Sequence, residues 1–200
     1  LPNKGTGEEA PVGRIETEYL KNVVSLPIVQ KIANDKRLYT LVSLFLNAPA
    51  HLYSIHAWWQ YPLDHQHKPS NAQLWHRDRD DFNLIKLFLY CTDVDDEAGP
   101  HAFIPGSHDP EVLPNLFTES INNTTINGSK HTFLSDKDID NLGFRGTKKV
   151  WLGKAGTCFL EDTKGLHRAY PPKNKPRLIF SICWTLGDGY NSNIPMPKNN

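Results

Sequence analysis

Apolar and polar positions follow two rhythms along this 200-residue chain, one helical and one strand-like. Residues 1–13, rich in Gly and Pro, read as an irregular arm. Over 14–47, Ile15, Tyr19, Val23 and Val24 keep a near-helical spacing, and Ile28, Val29 and Ile32 extend an apolar face. Ser25 with Pro27 predicts a helix start, and 38–46 predicts a further helix. Residues 51–59 predict a first strand. Beyond Trp75, strand-like runs alternate with Gly/Pro turns. The run 84–90 and the run 177–184 (Arg-Leu-Ile-Phe-Ser-Ile-Cys-Trp) carry the β-branched and aromatic content of strands. This pattern predicts a mainly β protein, an antiparallel barrel or jelly roll.

Between 109 and 149 the rhythm breaks. The stretch is polar, with few aromatics (Phe117, Phe133, Phe144), and is too poor in apolar residues for a core of its own. Helices are expected near 111–117 and 135–141, the second capped at Ser135. Long excursions from a rigid barrel often shape a pocket, so a flap over an active-site mouth is expected here. The chain is thus expected to be one domain, 1–200. It divides into an N-terminal arm and helices (1–47), a jelly-roll core (48–108 and 150–186) and an insertion (109–149).

Composition narrows the partners. Lys+Arg and Asp+Glu both number 22, so nothing points to nucleic acid or an anionic membrane surface. No run is apolar enough to span a bilayer, and no signal peptide is visible at Leu1. Cys91, Cys158 and Cys183 are odd in number and lie in apolar runs, which predicts buried, reduced thiols in a cytoplasmic protein. Asn122, Asn123 and Asn127 each head a glycosylation acceptor pattern, which reads here as a polar loop.

The candidate chemistry sits at His76-Arg77-Asp78. In extended chain, residues two apart project to one face, so His76 and Asp78 point together and Arg77 points away. Two imidazoles and one carboxylate can cap one face of an octahedral Fe(II), leaving three positions open. His167 is the second imidazole, expected at the end of a distant strand. After a Pro-rich loop (Pro171, Pro172, Pro176), Arg177 opens the next strand, and its guanidinium suits two-pronged capture of a carboxylate. The chain has nine His, so a lone His-x-Asp carries little weight. His65-Gln66-His67 has the same spacing, but within a polar stretch that reads as a solvated loop. His101 and the remaining His are background.

The surrounding order adds weight. Gln73-Leu-Trp-His-Arg-Asp78 precedes the apolar strand 84–90, the turn at Ala98-Gly99-Pro100, and Phe103-Ile-Pro-Gly-Ser-His108. Gly153-Lys-Ala-Gly-Thr-Cys-Phe-Leu then leads to Glu161, Asp162 and His167. Over roughly residues 50–185 this order resembles the phytanoyl-CoA dioxygenase-like (PhyH) family of Fe(II)/2-oxoglutarate oxygenases. Ala98-Gly99-Pro100 departs from the Asn-Gly-Cys common in that family, and 109–149 matches nothing in it.

The resemblance implies a jelly-roll dioxygenase that needs Fe(II), 2-oxoglutarate and O2. It implies that His76, Asp78 and His167 hold the metal, and that Arg177 binds the far carboxylate of 2-oxoglutarate. The keto acid would be converted to succinate and CO2 as a small molecule is hydroxylated. Gln73 and Lys86 are candidate cosubstrate contacts. Lys86 is unusual inside an apolar strand; it meets an anion or guards a sheet edge. Trp75 is expected in the core. Trp58, Trp59 and Tyr61 line a pocket or the core, and Arg168 is placed at the substrate mouth. Two other readings stand beside the oxygenase: a cupin-like metal-dependent isomerase or hydrolase, and a non-catalytic jelly-roll binding protein.

Overall fold

Strands β1 (Thr17–Tyr19), β2 (His51–Gln60), β3 (Leu84–Tyr90), β8 (Cys158–Glu161) and β10 (Arg177–Thr185) form one antiparallel sheet, in the order β1-β2-β10-β3-β8. A second sheet, in the order β7-β4-β9, joins β4 (His101–Phe103), β7 (Lys149–Trp151) and β9 (His167–Ala169). A hairpin of β5 (Asn123–Ile126) and β6 (Ser129–Thr132) stands apart. This computed structural model describes residues 17–63, 68–109, 111, 123–126, 129–141 and 148–187, with only the backbone described over 123–126 and 129–132. The architecture is the double-stranded β-helix, or jelly roll, that the strand rhythm predicts.

Register divides the large sheet into two chemically different faces. Phe180 pairs with Ala57 and Leu89, and Ile182 with Ile55 and Leu87. That apolar face packs on helices α1 (Pro27–Ala33) and α2 (Lys36–Leu46) through Val29, Val42 and Leu46. The opposite face carries Gln60 beside Arg177, His56 beside Ser181, and Lys86 between Cys183 and Glu161. It looks toward the second sheet, and Phe88, Tyr90, Phe159 and Ile179 fill the space between the sheets. Alternation along each strand therefore keeps the helix-facing side apolar and sends the polar side chains, together with a few aromatic ones, to the interior.

The helical segment differs from its sequence reading in part. Thr17–Tyr19 is an edge strand paired with β2, because β2 offers free backbone groups to β-favouring Thr17 and Tyr19. Asn22, at φ 58°, then breaks the chain direction. Pro27 is the first residue of α1, capped by Leu26; the Ser25 hydroxyl turns back to the Asn22 carbonyl instead. The second helix starts two residues before the predicted 38. Asp35 caps it by accepting from the Arg37 and Leu38 amides at 2.9 and 3.2 Å.

The described end of the 109–149 excursion is built into the fold. Leu134 bridges to Trp75 and is 2% exposed, and Ile139 on helix α3 (Asp136–Asn141) is fully buried. Ser135 and Asp138 cap α3 reciprocally, as the sequence suggested. Leu134 and Ile139 thus pack residues 133–141 against the core. The predicted helix near 111–117 beyond Glu111, the His65-Gln66-His67 pair, Asn122 and Asn127 lie outside the described residues. Cys183 is buried as expected, but Cys91 and Cys158 are exposed because they fall at strand ends; all three are free. Among the described residues, no helix is long and apolar enough to cross a membrane.

Candidate metal centre

His76 and His167 face each other across two reciprocal backbone hydrogen bonds, His76 N–H to His167 O at 2.9 Å and His167 N–H to His76 O at 3.0 Å. Directly opposed residues on antiparallel strands project to one side, so their rings meet, with centroids 4.2 Å apart. The Asp78 amide donates to Thr163 O at 2.8 Å, and the Arg77 guanidinium to Lys164 O. This stitching holds 76–78 against 163–167. It brings one ligand atom each from His76, Asp78 and His167 within 4.8 Å of one another. His167 opens β9 rather than ending a strand, and the Pro-rich loop after it crosses to the other sheet, where Arg177 opens β10.

The rings are oriented for ligation. Nδ1 of His76 lies 2.9 Å from Leu74 O, and Nδ1 of His167 lies 3.0 Å from Gly165 O. A carbonyl can only accept, so each Nδ1 carries the proton and each Nε2 presents its lone pair. Gly165 is required here: a Cβ on it would lie 2.5 Å from the Phe103 ring. Burial holds the His76 imidazole below its usual pKa and, with His76 beside it, pushes His167 down to about 4. Burial pushes the Asp78 carboxyl up, but the charges of Lys86, His167 and His76 outweigh it and hold the group below the usual carboxylate range. At neutral pH the set is two neutral imidazoles and one carboxylate, a donor set that fits Fe(II).

Arg177 is 1% exposed. Its two terminal nitrogens donate to Gly99 O and Gln60 Oε1, both neutral, and its Nε has no partner among the described residues. Burial lowers its pKa to about 10, opposed by Tyr90. A buried guanidinium with only neutral protein partners suits an incoming carboxylate. Gly99, at φ 70°, lets the chain pass close to residues 170–172, since a Cβ there would stand 2.4 Å from Tyr170 O.

The other sequence candidates scatter. Lys86 donates to Asp78 Oδ2 at 2.6 Å and to Asp80 Oδ2 at 3.3 Å. Its strand lies between β10 and β8, so it guards no sheet edge. Gln73 is buried in a 3₁₀ turn, where its side-chain carbonyl accepts the Ser70 amide and its Nε2 has no partner among the described residues. Trp75 is fully buried and donates from Nε1 to Asp136 at 3.0 Å. Arg168 is not at a mouth: it is 3% exposed, bonded to Asp136 at 2.9 Å and flanked by the Trp75 and Tyr170 rings. Trp58 faces the interior packing, and Trp59 stacks on Tyr61, whose hydroxyl donates to Glu18.

Sequence reading treated His101 as background, yet it stacks on His167 with ring centroids 5.6 Å apart. Its Nε2 lies 2.9 and 3.0 Å from the two oxygens of Glu161, and both residues are buried. Burial pushes the Glu161 carboxyl up to about 8, and burial with the Arg177 charge pushes His101 down to about 3. The available signal was Glu161 itself, a charged residue two beyond Phe159 on the same strand face.

The model of the Phytanoyl-CoA dioxygenase (PhyH) family matches residues 13–176. No curated protein matches the chain by sequence. Among solved structures, the epimerase SnoN in complex with Fe3+, alpha ketoglutarate and nogalamycin RO superposes with TM-score 0.55 at 18% identity, covering 84% of this chain and 63% of that one. EctD from S. alaskensis with bound Fe gives 0.53 at 16%, covering 84% and 56%. AviO1 from Streptomyces viridochromogenes Tue57 gives 0.54 at 16%, covering 96% and 73%. At such identities the likeness establishes the fold. The chain spans less than two thirds of the SnoN and EctD chains.

Proposed function

Since this chain belongs to the phytanoyl-CoA dioxygenase (PhyH) family, whose model matches residues 13–176, we propose that it is an Fe(II)/2-oxoglutarate-dependent oxygenase that hydroxylates a small molecule. The observation that carries this reading is the convergence of His76, Asp78 and His167 within 4.8 Å, with both Nδ1 atoms tied to carbonyls. SnoN and EctD, its structural neighbours, were crystallised with iron, and SnoN also with alpha ketoglutarate.

In this reading His76 and His167 would hold Fe(II) through Nε2 and Asp78 through its carboxylate. Fe(II), 2-oxoglutarate and O2 together supply the oxidant, with loss of CO2 and formation of succinate. The protein supplies position and charge. Arg177 would bind the distal carboxylate of the cosubstrate through its buried guanidinium. Gln60, Gly99 and Tyr90 hold that guanidinium in place. Phe88 and Phe159 pack against His101 in the space between the sheets. Leu74 and Gly165 fix the imidazole tautomers, so no proton must move before the metal binds.

The test is anaerobic loading with Fe(II) and 2-oxoglutarate, followed by O2 and measurement of succinate. Succinate from the wild type but not from a His76→Ala variant supports the reading. No succinate from an iron-loaded wild type sinks it. One neighbour is an epimerase, so the product must also be analysed: gain of one oxygen atom marks hydroxylation, and an inverted centre of unchanged mass marks epimerisation.

A further inference from the structure

Each histidine of the triad is held by a backbone carbonyl, but Asp78 is held by a cation. Lys86 Nζ sits 2.6 Å from Asp78 Oδ2, the oxygen that lies 3.6 Å from His167 Nε2. The ammonium thus bonds the same oxygen that faces the other ligands. Lys86 stands on an interior strand, its side chain 18% exposed, between Cys183 and Glu161 on the neighbouring strands. A lysine there is costly unless paired, and its pairing is double: Asp80 Oδ2 is 3.3 Å away, at the rim, with its side chain 33% exposed. The segment carrying Asp80 is anchored, because the next residue, Asp81, accepts from the Leu186 and Gly187 amides at 2.8 and 3.1 Å.

We propose that Lys86 is a resident counter-ion of the metal triad, which a divalent metal displaces from Asp78, and that Asp80 is the acceptor that receives it. The inference rests on the metal-binding reading above. A metal ion and an ammonium both draw on Asp78 Oδ2, and their like charges repel at close range. Moving Nζ toward Asp80 keeps the ammonium paired and frees the ligand oxygen. Lys86 is therefore a positioning residue. It occupies the Asp78 oxygen until a metal displaces it, and so it sets how tightly the site holds metal.

The experiment is anaerobic titration with Co(II) and Fe(II), following affinity calorimetrically and the Co(II) visible spectrum. It compares wild type, Lys86→Met, Asp80→Asn and the double variant. Lys86→Met should bind metal about tenfold tighter, because a competing cation is gone. Asp80→Asn should bind about threefold weaker, because the displaced ammonium loses its acceptor. In the Lys86→Met background, Asp80→Asn should then cost nothing further. Asp80→Asn costing the same in both backgrounds is a plain charge effect and overturns the proposal, as does a Lys86→Met variant that binds no tighter. If Lys86→Met fails to fold, Lys86→Gln, which keeps the hydrogen bond without the charge, is read by the same criteria. A wild type whose metal affinity is absent or indifferent to His76→Ala overturns the underlying site as well, which separates the two failures.

Discussion

Asp78 supplies the one carboxylate of the triad, and Arg177 is a buried cation with no carboxylate among its described partners. Removing each should give opposite patterns. Asp78→Ala should lower metal affinity at least about 100-fold and abolish succinate formation; a variant that keeps both metal and turnover would falsify the triad. Arg177→Leu should leave metal affinity intact and weaken 2-oxoglutarate by about 3 kcal/mol, roughly 100-fold in Kd. Equal cosubstrate affinity in variant and wild type would return Arg177 to a structural role. Glu161 gives a pH signature. Its folded pKa of about 8 lies above the ordinary 4.5, so its neutral form stabilises the fold at low pH and that contribution is lost as pH rises toward 8. Glu161→Gln, which mimics the protonated form, should therefore gain melting temperature over the wild type progressively from about pH 4.5 to pH 8. A difference that stays flat with pH would mean that Glu161 is ionised in the fold.

Strands and turns decided what the sequence could reveal. The i, i+2 spacing of His76 and Asp78 and the apolar runs around 84–90 and 177–184 were legible because period-2 alternation is local. Pairing partners are not local, so nothing in the sequence marked His101 as the neighbour of His167 or Lys86 as the partner of Asp78. The Thr17–Tyr19 strand was masked by a spacing that also suits a helix, and only the open edge of β2 decides between them. The polar composition of 109–149 hid Leu134 and Ile139, two apolar residues that suffice to anchor α3. That anchoring has a polar side as well. Asp136 accepts from Trp75 and Lys148 and pairs with the buried Arg168. Asp136→Ala should destabilise the protein by about 2 kcal/mol, a value discounted for the half-exposed Asp136 side chain. It should leave metal affinity within about twofold, since Asp136 touches none of the three ligands. Urea unfolding and metal titration check the two halves, and a large loss of metal affinity would mean that α3 supports the site directly.

Taken together, β9 and the segment 76–78 bridged to it bring three candidate metal ligands to one point, and β10 sets a buried guanidinium into the interior of the fold. Helices α1 and α2 cover the far face of the large sheet and leave the interior face to the chemistry. The jelly roll and its family follow from this arrangement, whereas the substrate is decided by surfaces that alternation and spacing do not encode. Whether this interior takes a keto acid onto iron can be read directly. Anaerobic addition of Fe(II) and then 2-oxoglutarate to the apoprotein should produce a visible charge-transfer absorption that saturates at one equivalent of metal. The band should be missing in Asp78→Ala and should need far more 2-oxoglutarate in Arg177→Leu. An iron-loaded wild type that develops no such band at saturating 2-oxoglutarate would show that these residues do not serve a keto-acid oxygenase.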